Sequence, residues 1–508
     1  MKKLLFFSFF IFHFSFSFSQ YMIYGTTEGG GIYYKSNGNP NYYGTIFSYN
    51  PMTHKQAVVF SFNDTDGYSP RTTLLYASDS LLYGTTYFGG AHNMGTVFSF
   101  NPITHKETVV INFDSANGYL DGGVSILMQA KDGLLYGTSS GGGKYGKGVL
   151  FSYNIHTHKD SIRYNFNDST SAGLNAGPVM ELWQDTTSGI LYGVTLGGGL
   201  PNGAGVIYGF NPTNNHLTRY VVATSNGSNP YGFMGGLTLA NNNLLYGMTE
   251  LGGVPDSGTI YSFDRTHGVM QKVYDFGGIH GAYPNACELL EGTNKLLYGL
   301  VPQGGDINTR GCGVLFSFNA TNNTEKVLKT FQDTDGCLPA FRLIQDPDNG
   351  FLYGIAQEGG DFINPVGYGV IFSYDIATST YSKLFEFTGY TGVDPNGLTL
   401  VKDTSVHVPK DTNSLGVSQK KGESEKVEVY PNPGNGAFTF IIASEAKQSN
   451  PIIEVYNVIG EKVYSQYQIT HASNYQVDLS SQPNGIYLYR IITQAGVLIG
   501  EGKIIIQR

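Results

Sequence analysis

The chain has 508 residues and a formal net charge of −9, and only 14% of its residues are charged. No basic stripe runs through that acidic balance, which argues against a nucleic-acid partner. Glycine reaches 68 residues and punctuates short runs of Val, Phe, Tyr, Thr and Leu, as expected of a β-rich chain and not of a disordered one.

The first predicted element is a secretory signal peptide over residues 1–19. Lys2 and Lys3 form its charged start, Leu4 to Phe16 its apolar stretch, and Ser17-Phe18-Ser19 its small-residue cleavage site. The stretch is short and interrupted by Ser and His, which disfavours a membrane anchor. No later segment is long and apolar enough to span a bilayer.

From Tyr21 onward a repeat dominates. Leu-Tyr-Gly or a near variant occurs seven times, at Tyr24, Tyr83, Tyr136, Tyr192, Tyr246, Tyr298 and Tyr353, with spacings of 59, 53, 56, 54, 52 and 55 residues. Such a period marks a solenoid, an array or a propeller. One full unit predicts four strands, Thr72 to Ala77, Leu81 to Thr86, Thr96 to Phe100 and Glu107 to Phe113, separated by Ser-Asp-Ser, a Gly-Gly loop and an Asn101-Pro102 turn. No helical period appears in it. Four short antiparallel strands per unit at this length predict a propeller blade of kelch-like size. Phe98 and its counterparts Phe47, Phe151, Tyr208, Tyr261, Phe316 and Phe372 are the expected blade core.

The two ends of this region complement each other. Tyr21 to Gly25 begins in the second segment of a unit, and Asp394 to Val401 supplies a first segment at the far end. The expectation is a seven-bladed β-propeller over residues 20–402, closed by its N- and C-terminal strands, whereas an open solenoid needs no complementary half-units. Three cysteines, Cys287, Cys312 and Cys337, leave one thiol free or bonded to another molecule. Cys312 and Cys337 fall in loops on one face and are able to pair. Residues 403–426 are polar and Ser/Thr/Gly-rich and read as a flexible linker. Seven short β-like runs then predict a small Ig-like β-sandwich over residues 427–508.

The tail carries a specific resemblance. Val429-Tyr430-Pro431-Asn432-Pro433 with Gly436, then Val455 to Val463 with Gly460, then Asn484-Gly485-Ile486-Tyr487, and finally Gly502-Lys503-Ile504 resemble, in order, the motifs of the type A C-terminal sorting domain of the type IX secretion system. That resemblance implies export across the outer membrane of a Gram-negative cell, removal of the domain by a sorting peptidase, and a cargo anchored at the surface or released. The repeats resemble the GloVer tandem-repeat family through Leu82-Tyr83-Gly84-Thr85-Thr86, Gly89-Gly90 and Gly95-Thr96-Val97-Phe98. The fourth unit departs from that pattern at Val194 and at Val206-Ile207-Tyr208. The resemblance implies a repeat scaffold and no particular activity.

Chemistry is harder to place. In an antiparallel blade the loops after the second and fourth strands share one face, and loops on a rigid scaffold are the usual seat of binding. Asp66, Tyr68, Tyr87, Phe88, Tyr119 and Asp335 are the candidate ligand-binding residues there, tyrosine combining an apolar face with a hydrogen-bonding tip suited to sugars. The Asp-Thr-Asp-Gly loops suggest calcium, but they offer fewer oxygens than such a site needs and lack a distal Glu, so an Asx turn is the default reading. His54, His105 and His158 recur at one blade position and cannot gather on one metal. The Gly-Gly-Gly runs open no helix and make no phosphate loop. No cofactor and no catalytic residue is assigned. Two functions stand: a non-catalytic exported module that binds or adheres to a glycan or surface protein, and a propeller enzyme acting on polysaccharide. The second requires unique carboxylates, His or Tyr gathered at the channel mouth.

Overall fold

The computed structural model describes residues 21–31, 43–119, 125–167, 178–198, 204–222, 229–306, 311–361, 367–402, 427–430, 434–442, 452–457, 462–467, 474–492 and 498–507. The predicted signal peptide and linker lie outside them, as do Pro431, Asn432, Pro433 and Gly460. The chain divides into two compact units, Met1–Val408 and Pro409–Arg508.

Apart from one 3-10 turn, Gly278–His280, all regular structure described in the first unit is β. It forms seven antiparallel sheets. In the second of these, Leu75–Tyr76, Leu82–Thr86, Thr96–Phe100 and Glu107–Asn112 pair in sequence order. The first strand is shorter than its sequence suggests. Its upstream residue Thr72 is drawn to the neighbouring sheets: the Thr72 carbonyl accepts from the Thr26 hydroxyl at 2.9 Å, and the Thr72 hydroxyl donates to the Ser125 carbonyl at 3.2 Å. The first sheet joins the two ends of the unit, because Tyr21–Gly29 pairs with Thr45–Asn50 on one side and with Val393–Lys402 on the other. The remaining five sheets are centred on Leu135–Thr138, Leu191–Thr195, Leu245–Leu251, Leu297–Val301 and Leu352–Glu358.

The repeated motif has a packing cause. Cross-strand register sets each Leu-Tyr-Gly glycine opposite an aromatic: Gly84 faces Phe98 and Gly25 faces Phe47, with the same pairing in the other five sheets. A Cβ on Gly84 would stand 2.6 Å from the Phe98 side chain and 2.9 Å from Leu74. Only a residue without a side chain lets the aromatic lie flat across the strand. The Tyr83 hydroxyl donates to Asp79 at 2.7 Å and the Tyr136 hydroxyl to Asp132 at 2.8 Å, which ties the second strand to the turn before it.

A second aromatic, just past the fourth strand of six of the seven sheets, joins one sheet to the next. Phe62 meets Phe98 edge-on at 5.0 Å, Phe113 meets Phe151 at 5.5 Å, and Phe387 of the seventh sheet meets Phe47 of the first at 5.1 Å. These geometries add to the area they bury. The core is therefore a series of aromatic layers between sheets, and it runs from the seventh sheet back to the first.

In the second unit Val427–Tyr430, Ala437–Ile442 and Asn474–Asp478 form a three-stranded sheet. Lys462–Tyr467, Ile452–Asn457, Gly485–Ile492 and Leu498–Ile506 form a four-stranded one. Phe438, Phe440 and Val477 of the first share one core with Ile453, Val455, Ile491 and Ile504 of the second.

Candidate functional site

The loops after the second and fourth strands meet on one face and are stitched together. The Gly90 N–H donates to the Asp64 carbonyl at 2.8 Å, Gly143 to Ser115 at 3.0 Å, and Gly360 to Asp333 at 2.7 Å. A Cβ on Gly89 would come within 2.7 Å of the Gly67 Cα, so the Gly-Gly and Asp-Gly motifs allow two backbones to touch. Much of what looks like a variable loop is thus a rigid latch.

Two predicted residues belong to that latch. Asp66 accepts from Asn63 and from Thr65 within its own turn, and its carbonyl accepts from the Thr96 hydroxyl at 2.9 Å. Asp335 pairs with Lys329 at 2.6 Å, and its carbonyl takes the Tyr381 hydroxyl. Tyr119 lies over Gly141, with reciprocal backbone hydrogen bonds of 3.0 Å. These residues sit at three separate junctions between sheets.

The remaining three come together. Tyr68 and Phe88 stack at 5.3 Å, Tyr87 meets Phe88 edge-on at 4.2 Å, and Tyr43 meets Tyr68 at 5.4 Å. The Arg71 guanidinium lies 5.5 Å from the Tyr87 ring and is held by Glu28 at 2.6 Å. The Tyr43 hydroxyl donates to Asp64 at 2.9 Å. Phe88 is 39% exposed, and Tyr145, Val254, Ile279 and Tyr390 are further exposed apolar side chains on loops of the same face. Beside the patch, burial and then the nearby Asp66 push the Glu107 carboxyl up to about 8. Near its Arg71 edge, burial and then Glu28 and Glu358 raise Asp394 to about 6.

A second cluster escaped the sequence reading. The edge strand beside each Leu-Tyr-Gly strand, the inner strand of its sheet, has a buried leucine in it or just before it: Leu398, Leu74, Leu127, Leu182, Leu237, Leu289 and Leu343. The residue just before each is Gly397, Thr73, Ile126, Glu181, Gly236, Glu288 and Arg342. Arg342 of the seventh sheet reaches Glu181 of the fourth at 3.3 Å and Glu288 of the sixth at 3.9 Å, so these side chains meet across the inner strands. Glu288 is 4% exposed, and its Oε1 has no hydrogen-bond partner. Burial and then Glu181 raise its carboxyl above the ordinary range, while Arg342 and then the backbone at Glu181 and Gly236 oppose the rise. The signal was present as a constant leucine preceded by a residue that never settles.

His54, His105 and His158 occupy exposed hairpin turns with φ of 54 to 56°, each turn capped by Asn50, Asn101 or Asn154. In the tail, the described sorting-motif residues act structurally. The Tyr487 hydroxyl donates to the Pro483 carbonyl at 2.8 Å, Gly436 accepts from the Leu479 N–H, and Gly502 pairs with Tyr489, which lies over it. Asn484 and Gly485 form the exposed turn into the strand that holds Tyr487, and Lys503 is exposed on the last strand.

Six four-stranded sheets and one five-stranded sheet, followed by a compact β tail, define an all-β repeat protein. Residues 16–198 and 178–430 match the Gloeobacter/Verrucomicrobia repeat, and the chain belongs to that family. Residues 428–507 match the secretion system C-terminal sorting domain of the type IX kind, which assigns the protein to the cell surface or the extracellular space. No helix among the described residues is long and apolar enough to cross a membrane. A search of curated proteins finds no match. Among solved structures, the chain is similar to a candidate 6-phosphogluconolactonase from Bacteroides uniformis, at 12% identity over 75% of this chain and 99% of that one, with a TM-score of 0.50. It is more distantly similar to TolB from Acinetobacter baumannii (8% identity, 70% and 78% covered, TM-score 0.38) and to Porphyromonas gingivalis dipeptidyl peptidase 4 (10%, 93% and 64%, 0.38). At these identities the first likeness speaks to fold alone, and the all-β array fits a propeller.

Proposed function

We propose that the first unit is a closed seven-bladed β-propeller, delivered outside the cell by its sorting domain, that binds glycan through the loop face. The observation that carries this reading is the aromatic patch of Tyr43, Tyr68, Tyr87 and Phe88, edged by Arg71, Glu28 and Asp64. Stacked rings beside charged hydrogen-bonding groups suit a sugar, whose apolar face and hydroxyl rim need both. The closed ring is supported by the shared first sheet and by the Phe387–Phe47 contact. Residues 1–19 serve as the signal peptide and 403–426 as the linker in this reading.

A second reading, hydrolysis or lysis of polysaccharide, is favoured only by the two carboxylates Glu181 and Glu288 beside one guanidinium. A glycan array run on the purified chain, with a reducing-sugar assay on each hit, separates the two. Replacing Tyr87 and Phe88 by Ala together should weaken glycan binding about tenfold or more at unchanged melting temperature. Replacing His54 and His105 on the opposite face should leave it alone. The reverse pattern would assign binding to the other face.

A further inference from the structure

The inner-strand position before the constant leucine is where the seven repeats stop repeating. Two glycines, a threonine, an isoleucine, two glutamates and an arginine stand there. Three of them meet. We propose that Glu181, Glu288 and Arg342 form a subsite that takes the ammonium group of an amino-sugar unit in the bound glycan. This rests on the glycan reading of the loop face and adds to it the charge class of the ligand.

Two carboxylates share one guanidinium, so the cluster holds one negative charge more than positive once an arriving cation has displaced the proton that burial favours on Glu288. Arg342 stands at 3.3 Å from Glu181 and only 3.9 Å from Glu288, too far for a hydrogen bond to the second. Glu288 Oε1 makes no hydrogen bond in a site almost without solvent, although the backbone at Glu181 and Gly236 lies beside the carboxylate. A buried carboxylate in that state favours any cation that reaches it. Gly236 supplies the room, because a Cβ there would overlap the Glu288 carboxylate. The Cys287 thiol beside Glu288 is kept neutral at pH 7 by burial. The side chains of Glu181 and Arg342 are 24% and 40% exposed, so they form the wall a ligand touches.

An ammonium brings three donors and the missing charge. A phosphate, sulfate or carboxylate would face both glutamates. A neutral acetamido group brings one N–H and no charge. The backbone beside the cluster is also held in an unusual state: Phe341, next to Arg342, has φ 66°, and Ala286, two residues before Glu288, has φ 53°. Non-glycine residues held there mark sites that their surroundings over-determine.

The test is calorimetric titration of the full chain at pH 6.5 with two probes, a glucosamine tetramer and an N-acetylglucosamine tetramer. The glucosamine tetramer should bind about tenfold more tightly or better. Glu181→Gln should erase that preference. Arg342→Gln removes the built-in competing cation and should tighten the glucosamine tetramer. Two variants with opposite effects cannot both arise from damaged folding. Equal affinity for the two tetramers, or no binding of either, overturns the subsite. The Tyr87/Phe88 double variant keeps the two ideas apart, since it should weaken both tetramers alike. If a trilysine peptide binds through Glu181 and the tetramers do not, the ligand is a protein and the inference fails.

Discussion

Phe98 shows how much a single position in this repeat depends on its neighbour. It is fully buried, lies across Gly84, and is met by Phe62 of the preceding sheet. Phe98→Ala should destabilise the first unit by roughly 3–5 kcal/mol in denaturant unfolding. A loss below about 1 kcal/mol would put the ring outside the core. Gly84→Ala should be comparably damaging, although alanine is small, because the aromatic has nowhere to go. The sequence makes the aromatic and the glycine conspicuous. Their pairing needed cross-strand register, which lies in no single segment. Glu454 in the tail gives the same lesson. It is almost buried and accepts from Lys462 at 2.6 Å, Arg490 at 2.6 Å and Tyr456 at 2.7 Å. Those three partners hold its carboxyl down at about 2 against its burial. A depressed carboxylate stabilises fully above its unfolded value near 4.5, and that contribution is lost as pH falls towards 2. Protection of Ile452–Asn457 against hydrogen exchange, taken relative to the intrinsic rate at each pH, should therefore fall in the full chain between pH 4.5 and 2. The loss amounts to up to roughly 3 kcal/mol. Glu454→Gln should show weak protection throughout and little change with pH. Unaltered protection in that variant would mean the charge triad is idle.

Strands and loops were legible to different degrees. Thr96–Phe100 falls where the sequence puts it, and Glu107–Asn112 ends one residue early. Asp394 to Val401 falls within the observed Val393–Lys402, whereas Thr72 to Ala77 shortens to Leu75–Tyr76 because Thr72 bonds to adjacent sheets, a choice that local β-propensity does not encode. Each outer strand also carries a bulge opposite the same place in its neighbour, between Ile46 and Phe47, Val97 and Phe98, Leu150 and Phe151, and at the four later equivalents. No residue type announces these bulges. They twist the exposed edge and discourage pairing with a second chain. The cysteines were half legible. Shared loop position made a Cys312–Cys337 bond feasible, and the structure forms it, joining the Gly-Gly loop of the sixth sheet to the first strand of the seventh. Cys287 stays free and buried. Replacing Cys312 and Cys337 by Ser together should cost roughly 3 kcal/mol, as for a loop of this order of length. Calorimetry on the oxidised, reduced and double-serine chains should give one high and two matching low melting temperatures. Three equal values would show that the bond adds nothing to stability.

At the scale of the molecule, the repeat period and its split first unit already implied the architecture, and the pairing of Tyr21–Gly29 with Val393–Lys402 agrees with it. The binding site was less legible for the same reason. A repeat scatters equivalent residues around an axis, so Asp66 and Asp335 look alike in sequence yet sit at different junctions, while Glu181, Glu288 and Arg342 look unrelated and meet. Deleting Pro395 to Lys402 should unfold the first unit or lower its melting temperature sharply. It removes a buried pairing partner, Leu398 included, and leaves Tyr21–Gly29 as an open edge. Melting like the intact chain would exclude closure by these strands.

The tail asks a separate question, whether its role in export depends on its fold or only on its presence. Among the described residues, the core of the second unit draws on none before Val429. A chain ending at Lys402 should thus fold and bind as the full chain does, yet remain in the periplasm of its native host, because the address has been removed. A full-length chain with Glu454→Gln and Phe440→Ala separates the two possibilities. It keeps the described turn Asn484-Gly485 and the last strand's Lys503, but it loses the charge triad and a fully buried core aromatic. If the machinery reads a folded β-unit, this variant should be retained as completely as the truncation, with both proteins found in the periplasmic fraction by immunoblot. Normal delivery of the core variant would mean that a linear motif suffices, and normal delivery of the truncation would remove the sorting role from the tail altogether.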